Sequence, residues 1–325
     1  MLRKSILILT VLTLAVGALI TEPNRPAAAR TGRTSAVKIG LVDSLLRDRP
    51  EHLVQLGMKP FRSYLEKQTA CHGEVVAGGS PLALGRKIKE GKLDLGVFHG
   101  IEFAWAHEKY PTLKPLVLIL KRHKDVHALL VVRRDCNVKG CDDLQGKLVA
   151  LPHGCREDCR LFLERRCAKA DTPAAKFYAK IITPADGMDA LDAVFDNEVH
   201  AAVIEDVVWE DYRKLKPARS GHLKALLESE SFPCGVLAYQ PRNLSAAQVK
   251  RIRNALVNAK SNSRGQQMLR ILGLTGFQPA PPNFCEGLAE IAKAYPCPAS
   301  SGPAGFTPVS GRPPAPSGKL HTPAQ

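Results

Sequence analysis

The stretch LPHGCREDC, residues 151–159, brings together a histidine, a glycine, an arginine and two cysteines four apart. Three kinds of chemistry use such a set. A glycine turn between a strand and a helix leaves backbone N–H groups open at the positive end of the helix dipole, which suits an anion. Gly154 and Cys155 would supply those groups, and Arg156 in the first turn could clamp the same anion with paired donors. His153, Cys155 and Cys159 could instead hold a metal, but three clustered ligands fall short of a closed zinc site, so no metal or other cofactor is expected. Two cysteines in an oxidising compartment can also serve only as cross-links, here from Cys155 or Cys159 to Cys167 or Cys234. No base stands at a spacing that would activate a thiol, so no catalysis is expected. His99, His127 and His153 all fall at strand ends. Three such rings in one cleft would gain charge in mild acid and tighten an anion as pH falls. Arg156→Ala would then weaken binding by about 1.5–3 kcal/mol. Glu205 and Asp206 close the AAVIED strand, either facing the same cleft or capping the next helix.

The elements that must position these residues alternate. VKIGLV (37–42), GEVVAG (73–78), LDLGVF and LKPLVLIL read as strands. PFRSYLEKQT (60–69) carries Phe61, Tyr64, Leu65 and Gln68 on one helical face, with Pro60 in its first turn. Ser80 and Pro81 mark the start of another helix. A second series follows: VHALLVVRRD, LVALP, a helix over 156–169, FYAKIITP, DGMDALDAVFDNE, HAAVIED and VVWEDYRKL. Ser245 and Gln248 form a capping box ahead of a late helix, and SRGQQMLRILGL is a helix closed by Gly276. Alternation of this kind predicts α/β architecture, with parallel sheets covered by helices on both faces. Two such series with a late return segment imply two lobes and a cleft between them, with ligands at the carboxyl ends of strands.

The ends are not fold. Arg3 and Lys4, an apolar run from Ile6 to Ile20 and Ala27–Ala29 describe a secretory signal peptide cleaved near Ala29. The run is shorter than a membrane span. The tail from Pro298 is mostly Pro, Gly, Ser and Ala and is expected to be disordered. The 325 residues carry a formal net charge of +15. A basic surface steers anions, but with 6% aromatic residues and no zinc-finger or RNA-binding signature, nucleic acid is not the expected partner. Nine cysteines in an exported chain should be mostly oxidised, with at least one left over. Cys136 with Cys141, around CNVKGC, and Cys285 with Cys297, around the last helix, are the expected pairs.

The order of these segments resembles the phosphate, phosphite and phosphonate substrate-binding proteins of ABC transporters. VKIGLVDS, MKPFRSYLEKQT, GGSPLALGRKIKEGKLDLGVFHGIEFAWA, HALLVVRRD, DDLQGKLVAL, MDALDAVFDNEVHAAVIED, FPCGVLAY and QQMLRILGLTGF carry the resemblance. It implies the two-lobed type-2 periplasmic-binding-protein fold, with mixed or parallel sheets. Lobe one would span 36–125, lobe two 126–232, and a return segment over 233–297 would pack on lobe one. It also implies a periplasmic or secreted monomer that captures a small anion and delivers it to an ABC permease. A ligand-sensing subunit of an envelope signalling system, or an enzyme on the same lobes, is the alternative. The residues implied for the ligand are Ser44, Phe98, His99, His127, His153, Gly154, Cys155, Arg156 and Glu205. Three positions depart from the family's pattern. PHGCREDC has no Ser or Thr where phosphonate binders place hydroxyls, Phe98 stands for a frequent tyrosine, and Cys234-Gly235 stands where an acid is expected. These departures point to a different anion, or to a weaker phosphonate site.

Overall fold

The computed structural model describes residues 36–46, 51–122, 126–153, 155, 157–167 and 172–298. The expected signal peptide, the tail beyond Pro298, Gly154 and Arg156 lie outside the described residues.

The first series folds as β1 (Val37–Val42), α1 (Glu51–Thr69), β2 (Gly73–Gly79), α2 (Pro81–Lys89), β3 (Leu95–Phe98), α3 (Gly100–Lys109) and β4 (Lys114–Leu120). The second is β5 (Ala128–Arg133), β6 (Leu148–Ala150), α4 (Glu157–Arg165), α5 (Ala174–Phe177), β7 (Lys180–Ile182), α6 (Gly187–Phe195), β8 (Ala201–Glu205), α7 (Asp206–Leu215), α8 (Pro217–Ser220) and β9 (Leu223–Glu228). The return segment adds β10 (Gly235–Tyr239), α9 (Ala246–Val257), α10 (Ser263–Ile271), β11 (Gly276–Gln278) and α11 (Leu288–Ala294).

These strands form two sheets, ordered β11-β4-β10-β3-β1-β2 and β7-β6-β8-β5-β9. Helical connections make β1 parallel to β2 and β3, and β6 parallel to β7 and β8. The expectation of wholly parallel sheets is corrected by the strands that pass between lobes. β10 enters directly from the second lobe and inserts antiparallel between β3 and β4. β5, which opens the second lobe, pairs antiparallel with β8 and β9. A strand reached without a crossover helix is free to run against its neighbour. Both sheets are therefore mixed, with cores on both faces.

Other boundaries also move. α1 starts at Glu51 and carries Pro60 in its interior. Val54 and Met58 pack on the same core as Phe61, Tyr64 and Leu65, and Gln55 Nε2 donates to the Val75 carbonyl at 2.9 Å. That packing offsets the backbone bond that proline removes. FYAKIITP is a strand only over Lys180–Ile182, because Phe177 ends α5. α4 stops at Arg165. α10 stops before Gly273, at φ 63°, rather than at Gly276, which opens β11.

Cys136 and Cys141, the expected pair, stand as thiols in this structure. The Cys136 thiol donates to the Arg133 carbonyl at 2.9 Å, whereas Cys141 packs beside Cys167. Cys285 and Cys297 stand as thiols at the two flanks of α11. Burial raises both above the usual thiol range, with the Glu108 and Glu102 carboxylates adding to it at Cys297.

The two lobes are joined by more than their connections. The crossing segments meet at an antiparallel bridge between Val126 and Phe232. Leu161 of α4 leaves the second lobe's core and is fully buried with Phe232 of the crossing segment and with Phe98, Phe103, Leu288 and Tyr295 of the first lobe. Beside it, Arg166 pairs with Glu230 and its guanidinium lies 5.7 Å from the centre of the Tyr295 ring. The Tyr295 hydroxyl donates to the same glutamate, and Trp105 Nε1 donates to the Tyr295 carbonyl at 2.7 Å. Tyr295→Phe leaves Glu230 with its arginine and removes one hydrogen bond to a charged group. It should cost about 1–2 kcal/mol in denaturant unfolding, and an unchanged midpoint would refute this role.

Candidate functional site

The N-termini of α3 and α4 approach each other from different lobes. α3 follows β3 without a break, and His99 is its N-cap residue. The next residue must be small. A Cβ on Gly100 would lie 2.0 Å from the Pro233 carbonyl oxygen and 2.6 Å from that of Cys234. The start of α3 is thus laid directly on the strand that returns from the second lobe.

Glu102, in the first turn of α3, is the centre of the site. Its Oε2 accepts from the Ser44 hydroxyl at 2.8 Å and from the His99 backbone N–H at 3.3 Å. It is 2% exposed, and the two acids that open α4, Glu157 and Asp158, are 4% and 1% exposed. Burial pushes the Glu102 carboxyl up to about 8, the Glu157 and Asp158 charges push the same way, and the Ser44 and His99 bonds oppose them. Glu102 is therefore mainly a neutral acid at pH 7, and it presents a hydrogen-bonding group rather than a charge. Arg160 lies between Glu157 and Glu164, bonded to both. Burial works against its charge, but the hydrogen bonds and charges of Glu157 and Glu164 outweigh that and hold it above the ordinary guanidinium range.

The residues expected from sequence are divided by the structure. Ser44 and His99 are brought together, both on Glu102, a residue outside that set. Phe98 is 1% exposed and packs tilted against Phe103 with ring centres 5.8 Å apart, so it supports the site from the core instead of lining it. Its burial in an apolar layer explains why a phenyl ring suffices there. His127 Nδ1 lies 3.2 Å from the Ser229 carbonyl and 3.2 Å from Glu228 Oε1, which ties it to the returning segment beyond β9. His153 is exposed, and its backbone N–H donates to the Pro184 carbonyl at 2.8 Å. Cys155 packs against the second lobe's core. Glu205 ends β8 as the residue before α7, 3.9 Å from Lys121 Nζ on the other crossing segment. Asp206 accepts from the Val207 backbone N–H at 2.7 Å. Among the described residues, no group of three His, Cys, Asp or Glu side chains is arranged to hold a metal.

Sequence reasoning passed over Glu102, Glu157 and Asp158. Each has the signature of a helix start, an acid in the first turn, and that local role hides them. Only the meeting of the lobes makes them neighbours.

Comparison with known proteins agrees with this fold. A family model described as ABC transporter, phosphonate, periplasmic substrate-binding protein matches residues 46–283. A Xanthomonas citri protein solved with chloride is 19% identical, with a TM-score of 0.59 over 81% of this chain and 98% of that one. A binding-protein component of a Pseudomonas aeruginosa ABC phosphonate transporter is 15% identical, with a TM-score of 0.55 over 80% and 85%. A Prochlorococcus marinus protein in complex with methylphosphonate is 17% identical, with a TM-score of 0.53 over 80% and 98%. No curated protein matches the sequence. Among the described residues, no helix is long and apolar enough to cross a membrane.

Proposed function

The chain belongs to the family of periplasmic substrate-binding proteins of phosphonate ABC transporters, and from that premise we propose that it captures a small oxyanion between its lobes and passes it to an ABC permease. Export by a cleaved N-terminal signal and a monomeric state are parts of the same reading. So are lobe boundaries near residues 125 and 232, with a hinge at the Val126–Phe232 bridge. The family is one of transport receptors, not enzymes.

The observation that carries the reading is the convergence of the α3 and α4 N-termini on Ser44 and a protonated Glu102. Two helix dipoles favour negative charge there. The Ser44 hydroxyl and the neutral Glu102 carboxyl supply hydrogen bonds without adding charge of the ligand's own sign; the Glu157 and Asp158 charges beside them oppose an anion, and Arg160 offsets that of Glu157. Arg156, one residue ahead of α4, would add the clamp expected from sequence. PHGCREDC, ahead of and into α4, has no Ser or Thr, so the preferred oxyanion is expected to differ from an alkylphosphonate, or the phosphonate to bind weakly.

Titration calorimetry with phosphate, phosphite, methylphosphonate, sulfate and small dicarboxylates tests this. One of these anions should bind, and its affinity should fall about tenfold between pH 7 and pH 9 as Glu102 ionises beside it, a loss of about 1.4 kcal/mol. Sulfate keeps one charge state over that range and serves as the reference anion. Glu102→Gln should abolish the pH dependence. Preference for a cationic ligand, tightening as pH rises, would overturn the reading and leave only the fold and family.

A further inference from the structure

Five of the nine cysteines gather on one core. Cys159 and Cys167 are buried among Leu144, Phe162 and Tyr178, and Cys136, Cys141 and Cys155 pack against that cluster. Two of the five meet, for the Cys141 and Cys167 side chains lie within interaction range of each other on this core. Their backbones are held where they meet. Cys141 opens the 3-10 turn Cys141–Leu144, whose Leu144 is fully buried. Cys167 lies just past α4, and its carbonyl accepts the Tyr178 hydroxyl at 2.5 Å. The one other cysteine near this turn in sequence, Cys136, has its thiol directed to the Arg133 carbonyl.

The geometry points to Cys141 and Cys167 as a disulfide pair of the exported protein. The link would close the loop that carries β6, the PHGCREDC turn and α4, which is the second lobe's whole contribution to the candidate site. It does not depend on which ligand binds there.

The two thiols are unequal in a way that orders the chemistry. Cys141 is partly exposed and Cys167 is 1% exposed. Cys141 is then the first nucleophile, and it meets a disulfide-bearing oxidant of the export compartment. Its thiolate attacks one oxidant sulfur, forms a mixed disulfide and releases the other sulfur as a thiolate. Cys167 gives its proton to that thiolate and attacks the Cys141 sulfur. The oxidant leaves as a dithiol. One disulfide is reduced and one is formed.

The test uses the full chain exported through its own N-terminal segment. It is unfolded in alkylating reagent without reductant, digested and mapped by mass spectrometry. A linked peptide pair holding Cys141 and Cys167 is expected in most molecules. Reductant should lower Tm by about 5–10 °C through loss of this loop closure, and most of that drop should be missing in C141S/C167S. Alkylation of both residues, or a link from either to Cys136, Cys155, Cys159 or Cys234, would overturn the assignment.

Discussion

Glu102→Gln should make the protein more stable at pH 9 by on the order of 4 kcal/mol and leave it nearly unchanged at pH 4. The sign follows from the direction of the shift. The Glu102 carboxyl sits near 8 in the folded chain, against an ordinary value of 4.5. The folded state thus holds this proton more tightly than the unfolded state does. The stability that the proton brings is complete below about pH 4.5, declines as pH rises, and is gone above about pH 8. Glutamine mimics the protonated acid at every pH and keeps an oxygen for the Ser44 hydroxyl and the His99 N–H. The groups that face Glu102 are Ser44 after β1, His99 on its own helix, Glu157 and Asp158 on α4, and Cys297 beyond α11. All remain in the variant, so the difference between the two proteins isolates one carboxyl. Denaturant melts of both from pH 4 to pH 9 read it directly. Parallel stability curves would mean that Glu102 ionises as freely folded as unfolded.

Gly100→Ala should cost about 3 kcal/mol or more and weaken oxyanion binding at least tenfold. The added methyl would meet two backbone carbonyls, at 2.0 Å from Pro233 and 2.6 Å from Cys234. Neither is a side chain that can turn aside, so α3 must lift from the returning strand, a change in the range of severe overpacking. Lifting α3 also moves Glu102 and the N-terminal N–H groups beside it. Gly140→Ala is the matched control. Its Cβ would meet nothing within 4 Å, and the backbone there is extended, at φ −164°. That variant should melt within about 0.5 kcal/mol of the parent. Equal behaviour of the two variants would show that the contact with Pro233 does not constrain α3.

Local chemistry made much of the fold readable. Ser80 caps α2, accepting from the Ala83 N–H at 3.4 Å, with Pro81 at its first position. Ser245 and Gln248 bond reciprocally at the start of α9. The apolar runs of β1, β3 and β8 became strands buried nearly throughout, broken only by Lys38 in β1, Val97 in β3 and Glu205 at the end of β8. What was not readable depends on contacts distant in sequence. Nothing in FPCGVLAY states that it will run antiparallel between β3 and β4. Pro60 reads as a helix start because its cost is local, while the packing of Val54 and Met58 that offsets it is not. At the candidate site, Ser44 and His99 were singled out and the acid they bond was not, since Glu102 on its own satisfies the pattern of a capped helix. The cysteines follow the same logic. CNVKGC offers the shortest loop, but Cys141 finds its neighbour beyond α4.

Leu161 bears on how fast a ligand can enter. It is a residue of the second lobe buried in the core of the first. Any motion that parts the lobes must wet it, at about 1.5–3 kcal/mol for a leucine, and must also separate Arg166 from Glu230. An opening cost near 3 kcal/mol leaves fewer than one molecule in about a hundred open at a given instant, and the apparent association rate falls by the same factor. The gain is on departure. A ligand held behind this contact waits for the same rare opening before it can leave, so residence time lengthens as entry slows. A shorter side chain at position 161 should therefore speed capture and release together while changing the equilibrium affinity far less than either rate.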